Sequence, residues 1–165
     1  MTDVVSPSTR SRMMAGVRST NTKPELLVRS ALHRRGLRFS RSPRGLPGRP
    51  DAVLPHWKVA VFVNGCFWHL HGCKLSKLPS SNSEFWKAKL RANRARDIRN
   101  VRELLRSGWR VLIVWECSLR GASATRDFDQ TADLMAHWIR DLRARCCCDV
   151  SHLGIDYRDN IDESN

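Results

Sequence analysis

With 165 residues, 41% of them hydrophobic and 27% charged, the chain has the size and composition of one globular domain and not of two. The 29 Lys and Arg residues outnumber the 16 Asp and Glu residues, and the net charge of +13 favours a polyanion with a phosphate backbone as partner. No apolar run is long enough to span a bilayer, although charge alone also fits an anionic membrane surface and does not specify a reaction.

Residues 1–21 are rich in Ser, Thr and Arg, which predicts a basic arm with a short helix. This arm contains no apolar stretch like the core of a secretory signal, so we expect a cytoplasmic protein with reduced cysteines. The sequence Thr22-Lys23-Pro24-Glu25 is a capping-box pattern with proline in the first turn. It predicts a helix to about Arg35, closed by Gly36, whose apolar positions are Leu26, Leu27, Ala31 and Leu32.

The middle of the chain predicts a β-hairpin. Residues 42–50 are rich in Pro and Gly and predict a loop that leads to Asp51. Two β-branched runs, residues 51–54 and 58–63, flank a Pro-His-Trp turn, and the second run is almost wholly apolar. The pattern therefore predicts a hairpin whose second strand is central in its sheet.

Helices and one further strand are predicted in the second half. Ser81-Asn82-Ser83-Glu84 is another capping-box pattern and predicts the start of a long basic helix that ends at Ser107-Gly108. Residues 109–115 predict a buried strand. Residues 127–143 predict an amphipathic helix that presents one apolar face, formed by Leu134, Trp138 and Leu142.

The regular pattern ends near Cys146, and the chain becomes acidic after it. We interpret residues 146–165 as a Cys-rich, acidic and mobile tail that follows one domain of residues 22–145. The order of helix, hairpin, helix, strand and helix predicts a mixed α/β fold, with a mixed central sheet flanked by helices.

A cluster of metal-binding residue types lies between the predicted elements. Cys66 and Cys73 flank His69 and His71, and Cys117 follows the second buried strand. Structural zinc takes four Cys or His ligands, so the three cysteines and one of the two histidines predict a zinc site in an otherwise irregular loop. The alternative is that the cysteines are small buried hydrophobic residues. The triplet of residues 146–148 could also bind metal, but we interpret it as incidental.

The position of Asp51 at the start of one strand resembles the core of the restriction nucleases. In that superfamily, a carboxylate-x-lysine pair on the next strand completes the site, whereas this chain has Val63 and Gly65 at those positions. Without that lysine, a general base must come from elsewhere, and His69 is the nearest side chain that titrates near neutral pH. Taken alone, Asp51 would read as an ordinary turn aspartate.

Four sequence runs resemble the very short patch repair (Vsr) mismatch endonucleases. The resemblance extends from about Thr9 to Gly121, and the runs are residues 46–51 (LPGRPD), 61–69 (VFVNGCFWH), 84–86 (EFW) and 108–117 (GWRVLIVWEC). It implies a restriction-endonuclease-like core with a structural zinc loop. It also implies Mg²⁺-dependent nicking on the 5′ side of the thymine of a T:G mismatch, which arises when 5-methylcytosine is deaminated.

The resemblance also implies roles for individual residues. Cys66, His71, Cys73 and Cys117 become the Zn²⁺ ligands, which leaves the other histidine for catalysis. Asp51 and the backbone carbonyl of Val63 become the Mg²⁺ ligands. His69 activates the attacking water, Glu25 supports that histidine or its water, and Asp97 is expected to hold Mg²⁺-bound waters.

The chain departs from type members of the family, which carry threonine and histidine at the positions of Val63 and Asn64. A backbone ligand tolerates the first change, whereas Asn64 cannot titrate and is expected only to support the site. Two other assignments have simpler alternatives. Glu25 could serve only the capping box, and Asp97 could be a solvated partner of the arginines around it on the long helix.

Aromatic residues in irregular polar segments complete the prediction. By resemblance, Phe67, Trp68 and Trp86 wedge between bases beside the mismatch, and Met14 and Val17 of the arm reach the other groove. The alternative is a small satellite core around the zinc loop. We expect a monomer that acts on mismatched double-stranded DNA in the bacterial nucleoid, with no membrane partner and with mismatch-repair proteins as candidate partners. The alternative functions are the same nuclease core acting on a different mismatch or modified site, and a catalytically inactive zinc-containing DNA-binding module.

Overall fold

The computed structural model describes Thr9 and residues 20–41, 45–120, 124–144, 146–151 and 154–158. Its centre is a five-stranded sheet in which the strands lie side by side in chain order. The strands are β1 (Ala52–Leu54), β2 (Val59–Asn64), β3 (Arg110–Trp115), β4 (Cys147–Ser151) and β5 (Gly154–Arg158). β2, β3 and β4 run parallel, and β1 and β5 pair antiparallel at the two edges. The mixed α/β prediction is confirmed.

Helices connect the parallel strands. α1 (Lys23–Arg34) precedes the sheet, α2 (Ser83–Arg106) connects β2 to β3, and α3 (Ala124–Arg140) connects β3 to β4. Parallel strands need such crossovers because both run in the same direction. The capping box at Thr22 and Glu25 is present, as predicted. The second capping box is not formed, because Asn82 is the N-cap in a left-handed conformation and its side chain makes no capping hydrogen bond.

The predicted hairpin is confirmed, and its second strand is central. Ala52 pairs with Val61 in the antiparallel ladder, and Val59 pairs with Arg110 on the other side of β2. The two hairpin strands are joined by the short turn Pro55–Trp57, after which Lys58 takes a left-handed conformation with φ 49°. β2 has a strand on both sides, and side chains of the helices cover both faces of the sheet. The apolar side chains of β2 can therefore be buried on both faces.

The two faces of the sheet bury separate clusters of side chains. Alternate residues of β2 and β3, such as Val61 and Leu112, pack with α1 and α3, whereas Ala60 and Val111 pack with α2. This alternation follows from the period of two in a strand. The sheet is therefore covered by helices on both faces, and α2 runs along the second one.

The predicted apolar face of α3 is wrong in two of its three residues. Trp138 is buried, but Leu134 is 50% exposed and Leu142 lies beyond the helix end and is 71% exposed. The buried residues of this helix fall on a neighbouring face: Phe128, Ala132, Met135, Ala136 and Ile139. On α1, Leu26 and Leu27 are likewise exposed, since Val28, Ala31 and Leu32 face the core. Leucines therefore lie on both the buried and the exposed faces of these helices, and leucine alone does not identify the buried face.

The interpretation of the segment after Cys146 as a mobile tail is wrong for the residues that the structure describes. Cys147 and Cys148 are fully buried in β4, and they pack against opposite faces of the sheet. Burial raises the pKa of Cys148 to about 12, so this thiol is neutral. Asp149 is 9% exposed and accepts a hydrogen bond from the indole of Trp115. The domain therefore extends at least to Arg158, because a parallel neighbour of β3 cannot be separated from the core.

Among the described residues, no helix combines the length and the apolar character that a membrane crossing requires.

Candidate active site and metal centre

Asp51 lies directly before β1 and is held by the neighbouring strand. Its backbone N–H donates to the carbonyl of Val61, and its Oδ2 accepts a hydrogen bond of 2.7 Å from the backbone N–H of Val63. Burial raises the pKa of Asp51 to about 6, and the charge of Glu25 adds to this rise. The hydrogen bond from Val63 and the charges of Arg29 and His69 oppose the rise. The carboxylate is therefore half-desolvated and able to gain from a cation.

His69 and Asp97 form a close pair across the cleft. Nδ1 of His69 lies 2.5 Å from Oδ2 of Asp97, and the two side chains are 26% and 29% exposed. The pair joins the irregular segment after β2 to the long helix α2, at a sequence separation of 28 residues. Asp97 therefore does more than balance the arginines of its own helix. A carboxylate at Nδ1 fixes the ring and leaves Nε2 as its basic nitrogen.

Glu25 forms the capping box and also lines the cleft. Its carboxylate accepts hydrogen bonds from the backbone N–H groups of Asn21 and Thr22 and from the Thr22 hydroxyl, as a capping box requires. The same carboxylate is 5% exposed, pairs with Arg29 and lines the cleft that contains Asp51. The cap therefore fixes an acidic group at the edge of the site.

One cleft of about 200 Å³ brings all five candidate catalytic residues together. The candidate residues that line it are Glu25, Asp51, Asn64, His69 and Asp97, with Val63 beside them. Asn64 is the last residue of β2 and pairs in register with Trp115.

Sequence reasoning missed three polar or close-packed positions in this cleft. Gly48, Arg49 and Asn100 also line it. Gly48 has φ 74°, and a Cβ there would lie 3.1 Å from both Asn100 and Phe62, so glycine allows the loop to approach α2 closely. The Pro-Gly-Arg-Pro run predicts a turn and belongs to the family resemblance, but no site role was expected for Gly48 or Arg49; their position just before Asp51 is the available signal.

Four side chains after the parallel strands β2 and β3 form a site that could hold a metal ion. The ligand atoms of Cys66, His71, Cys73 and Cys117 all lie within 4.8 Å of one another. Cys66 follows β2 and Cys117 follows β3, so the two strand ends bring them to the same edge of the sheet. The four ligand atoms are therefore close enough together to share one metal ion.

The thiols of this tetrad differ in their surroundings. Burial raises the pKa of Cys66 far above its usual value. Burial also raises the pKa of Cys73, but hydrogen bonds from the backbone of Leu75 and from Ser76 outweigh it, and the net shift is downward. A buried thiolate at Cys66 needs a cation beside it, which fits a tetrad that binds a metal.

The two histidines of this segment lie in different surroundings. His71 joins the tetrad, with its Nδ1 3.5 Å from the sulfur of Cys117, whereas His69 faces Asp97. Leu70, between the two, has φ 49°, a left-handed conformation that residues with a Cβ seldom adopt. The ring of Trp115 stacks on His71 at 4.2 Å and 15°, and meets His69 edge-on at 6.4 Å.

The aromatic residues predicted to contact DNA form a cluster beside the metal loop. Phe67, Trp68 and Trp86 meet in T-shaped pairs with centroid distances of 5.0 to 6.1 Å, and all three are partly exposed. Phe85 is 59% exposed and Lys89 lies over the ring of Trp86 at 5.4 Å. The cluster thus packs on itself and still presents rings to solvent. Met14 and Val17 lie outside the described residues.

Comparison with known proteins now identifies the family. The family model for the DNA mismatch endonuclease Vsr matches residues 2–75. The chain is 49% identical to the type II nicking enzyme V.XorIIP of Xanthomonas oryzae, over 75% of this chain and 91% of that protein. It is 42% identical to the type II nicking enzyme V.NmeAIP of Neisseria meningitidis, over 77% and 91% of the two chains. It is 41% identical to the DNA mismatch endonuclease Vsr of Escherichia coli, over 84% of this chain and 88% of that protein. The chain belongs to the Vsr family of DNA mismatch endonucleases.

Proposed function

We propose that this chain nicks one strand of duplex DNA on the 5′ side of the thymine in a T:G mismatch, in the manner of very short patch repair. The observation that carries the proposal is the single cleft that contains both Asp51 and the His69–Asp97 pair. The mixed sheet supports a restriction-endonuclease-like core, because the carboxylate at the start of β1 and the end of β2 meet there.

Asp51 and the backbone carbonyl of Val63 would hold Mg²⁺ in this cleft. When bound, this ion supplies Lewis-acid polarisation of the scissile phosphate. The protein's part is to provide one ionised carboxylate on a rigid strand, since Asp51 is fixed by the N–H of Val63. A backbone ligand does not depend on the side chain, so valine at position 63 is compatible with the role.

His69 is the general base in the proposed reaction. Asp97 accepts a hydrogen bond from Nδ1–H of His69, so the free Nε2 removes a proton from the attacking water, whose oxygen adds to phosphorus. The bond from phosphorus to the 3′ oxygen then breaks, and that oxygen takes up a proton. The products carry a 5′-phosphate and a 3′-hydroxyl. Glu25 and Asn64 orient waters in the same cleft.

Cys66, His71, Cys73 and Cys117 would hold Zn²⁺ as a structural ion, because three thiols and one imidazole with no open position form a closed site. The ion would fix the segment that contains His69. It would thereby replace the hydrophobic core that this irregular segment lacks.

Mismatch selectivity is assigned to the aromatic cluster and the basic surface. Phe67, Trp68 and Trp86 present partly exposed rings that can stack on bases, and a mismatched pair costs less to unstack than a normal one. The net charge of +13 supplies phosphate contacts. Met14 and Val17 of the arm are proposed to reach the other groove, and the protein is proposed to act as a monomer.

The decisive experiment is cleavage of end-labelled duplexes that differ only at one central base pair and its neighbours, with Mg²⁺ present. Nicking beside T:G and not beside T:A supports the proposal. Asp51→Ala is expected to abolish nicking while duplex binding persists. Asp129→Ala, which removes an exposed carboxylate on α3, is the control and is expected to nick normally.

Two outcomes would replace this function with another. Equal or better cleavage at a different mismatch or modified site would assign the same cleft to a different target. Binding of mismatched duplexes without cleavage by the intact protein would indicate an inactive DNA-binding module.

A further inference from the structure

Arg29 is a buried cation directly behind the candidate active site. It lies on α1, one turn after Glu25, and is 7% exposed. Its Nη2 lies 2.5 Å from Oε2 of Glu25, and its Nη1 donates a 3.0 Å hydrogen bond to the side-chain carbonyl of Asn21. The guanidinium therefore connects the residue before the cap with the carboxylate that lines the cleft.

The capping box alone does not require this arginine. Thr22 and the backbone of Asn21 already engage both oxygens of the Glu25 carboxylate. The Nε of Arg29 is buried and has no hydrogen-bond partner among the described residues, which makes the group costly for folding. Apolar side chains often replace a buried ion pair without loss of stability, so stability is a poor reason to retain it.

The electrostatics of the cleft give a better reason. Glu25 and Asp51 are two carboxylates in one partly desolvated site, and their charges act on each other. A buried carboxylate with a charged partner keeps its charge and its orientation. The planar fork of arginine bonds Asn21 and Glu25 at once, which the single ammonium of lysine cannot do with the same geometry.

We propose that Arg29 is a positioning residue for nicking, which acts through Glu25 by holding that carboxylate in a fixed orientation at the edge of the cleft. The inference rests on the proposed function and adds a residue that touches neither the phosphate nor the ion. Arg29 lies outside the lining of the cleft, so its influence on the reaction passes through its partner.

The test is a double-mutant cycle measured by single-turnover nicking of a T:G duplex. The variants are Arg29→Met, Arg29→Lys, Glu25→Gln and the combination of Arg29→Met with Glu25→Gln. Methionine matches the volume of the arginine stem without its charge. Duplex binding without added divalent cation and the thermal midpoint are recorded for every variant, at a temperature at which each is folded.

We expect Arg29→Met to lower the cleavage rate at least tenfold while duplex affinity changes less than twofold. In the Glu25→Gln background, Arg29→Met should lower the cleavage rate less than twofold, because a neutral amide forms no ion pair with Arg29. Arg29→Lys should recover part of the rate. If Arg29→Met fails to fold, the cycle is run with Arg29→Lys, whose smaller loss should likewise vanish with Glu25→Gln.

The proposal is overturned if the loss persists undiminished in the Glu25→Gln background, or if folded Arg29→Met nicks at the normal rate. Either result leaves the proposed function intact as long as the unmodified chain nicks the T:G duplex. Failure of the unmodified chain on that duplex instead removes the function itself.

Discussion

The indole Nε1 of Trp115 donates a hydrogen bond to Oδ1 of Asp149, 3.2 Å away, while the same ring stacks on His71. Asp149 belongs to β4, so the last part of the sheet is tied to the metal tetrad through one side chain. Asn64 pairs with Trp115 in the β2–β3 ladder and lines the cleft. Trp115 therefore contacts β4 and the tetrad, and it pairs with a residue that lines the cleft.

Trp115→Phe removes the indole N–H and leaves an aromatic ring at the position that stacks on His71. Loss of a hydrogen bond to a buried carboxylate is expected to lower the free energy of unfolding by about 1–3 kcal/mol. Urea denaturation measures this change. Trp109→Phe, which alters a second partly buried tryptophan packed on the same face of the sheet, is the control. Equal losses in the two variants would show that ring size, and not the hydrogen bond, matters.

Removal of the tetrad metal is expected to abolish nicking, because His69 lies within the segment that the tetrad folds. Cys117→Ala should reduce the bound zinc from one equivalent per chain to none, as measured by elemental analysis, and lower the thermal midpoint. Cys146→Ala lies outside the tetrad and should retain the metal. Full activity of a metal-free Cys117→Ala protein would contradict the structural role.

Asp97→Asn tests the His69–Asp97 pair. The amide cannot stabilise a charged imidazole as a carboxylate does, so we expect the single-turnover rate to fall roughly 10- to 100-fold, below the 10²- to 10⁴-fold contribution of a general base itself. His69→Gln should lose that larger factor. Duplex binding should be unchanged in both variants. A normal rate for Asp97→Asn would show that this carboxylate has no role in the reaction.

The raised pKa of Asp51 makes the stability of the protein depend on pH. Its pKa of about 6 in the folded chain lies above the ordinary value near 4, so the folded state favours the protonated form. Without added divalent cation, Asp51 therefore contributes less stability as pH rises from about 4 to about 6. Asp51→Asn should raise the thermal midpoint more at pH 8 than at pH 4. An equal gain at both values would contradict the assigned pKa.

The same carboxylate predicts how nicking depends on pH. The rate should fall below about pH 6 as Asp51 is protonated, and more Mg²⁺ should move this limb to lower pH, because the ion competes with the proton. Rate profiles at two Mg²⁺ concentrations measure the shift. If the pH at which the rate falls does not change with the Mg²⁺ concentration, a group other than Asp51 is responsible for the fall.

Much of the fold could be predicted because the relevant signals are local. The capping box at Thr22, the hairpin around residues 55–57 and the apolar strand of residues 110–115 are each encoded within a few positions. β4 was missed because Cys-Cys-Asp-Val-Ser has weak strand character and is buried only by its pairing with β3. Its burial depends on a partner more than thirty residues away.

The candidate site could likewise be predicted in part from local sequence signals. Cys66, Cys73 and Cys117 could be predicted as ligands from residue type, but their spacing alone could not choose between the two histidines. The i,i+4 spacing of Glu25 and Arg29 is a local signal of a helical ion pair, but the position of this pair behind the cleft is visible only when α1 is placed against the sheet. In contrast, the resemblance to the family directed attention to Asp97.

A peptide that carries two imidazoles separated by one residue is an ambiguous chelator, since either ring could capture a transition metal. The left-handed backbone at Leu70 removes this ambiguity, because it turns the flanking rings toward different neighbours. The proposed division, in which His71 binds a metal ion and His69 serves the reaction, would therefore depend on the backbone conformation at Leu70. A glycine at position 70 would relax this conformation and allow either ring to approach the thiols.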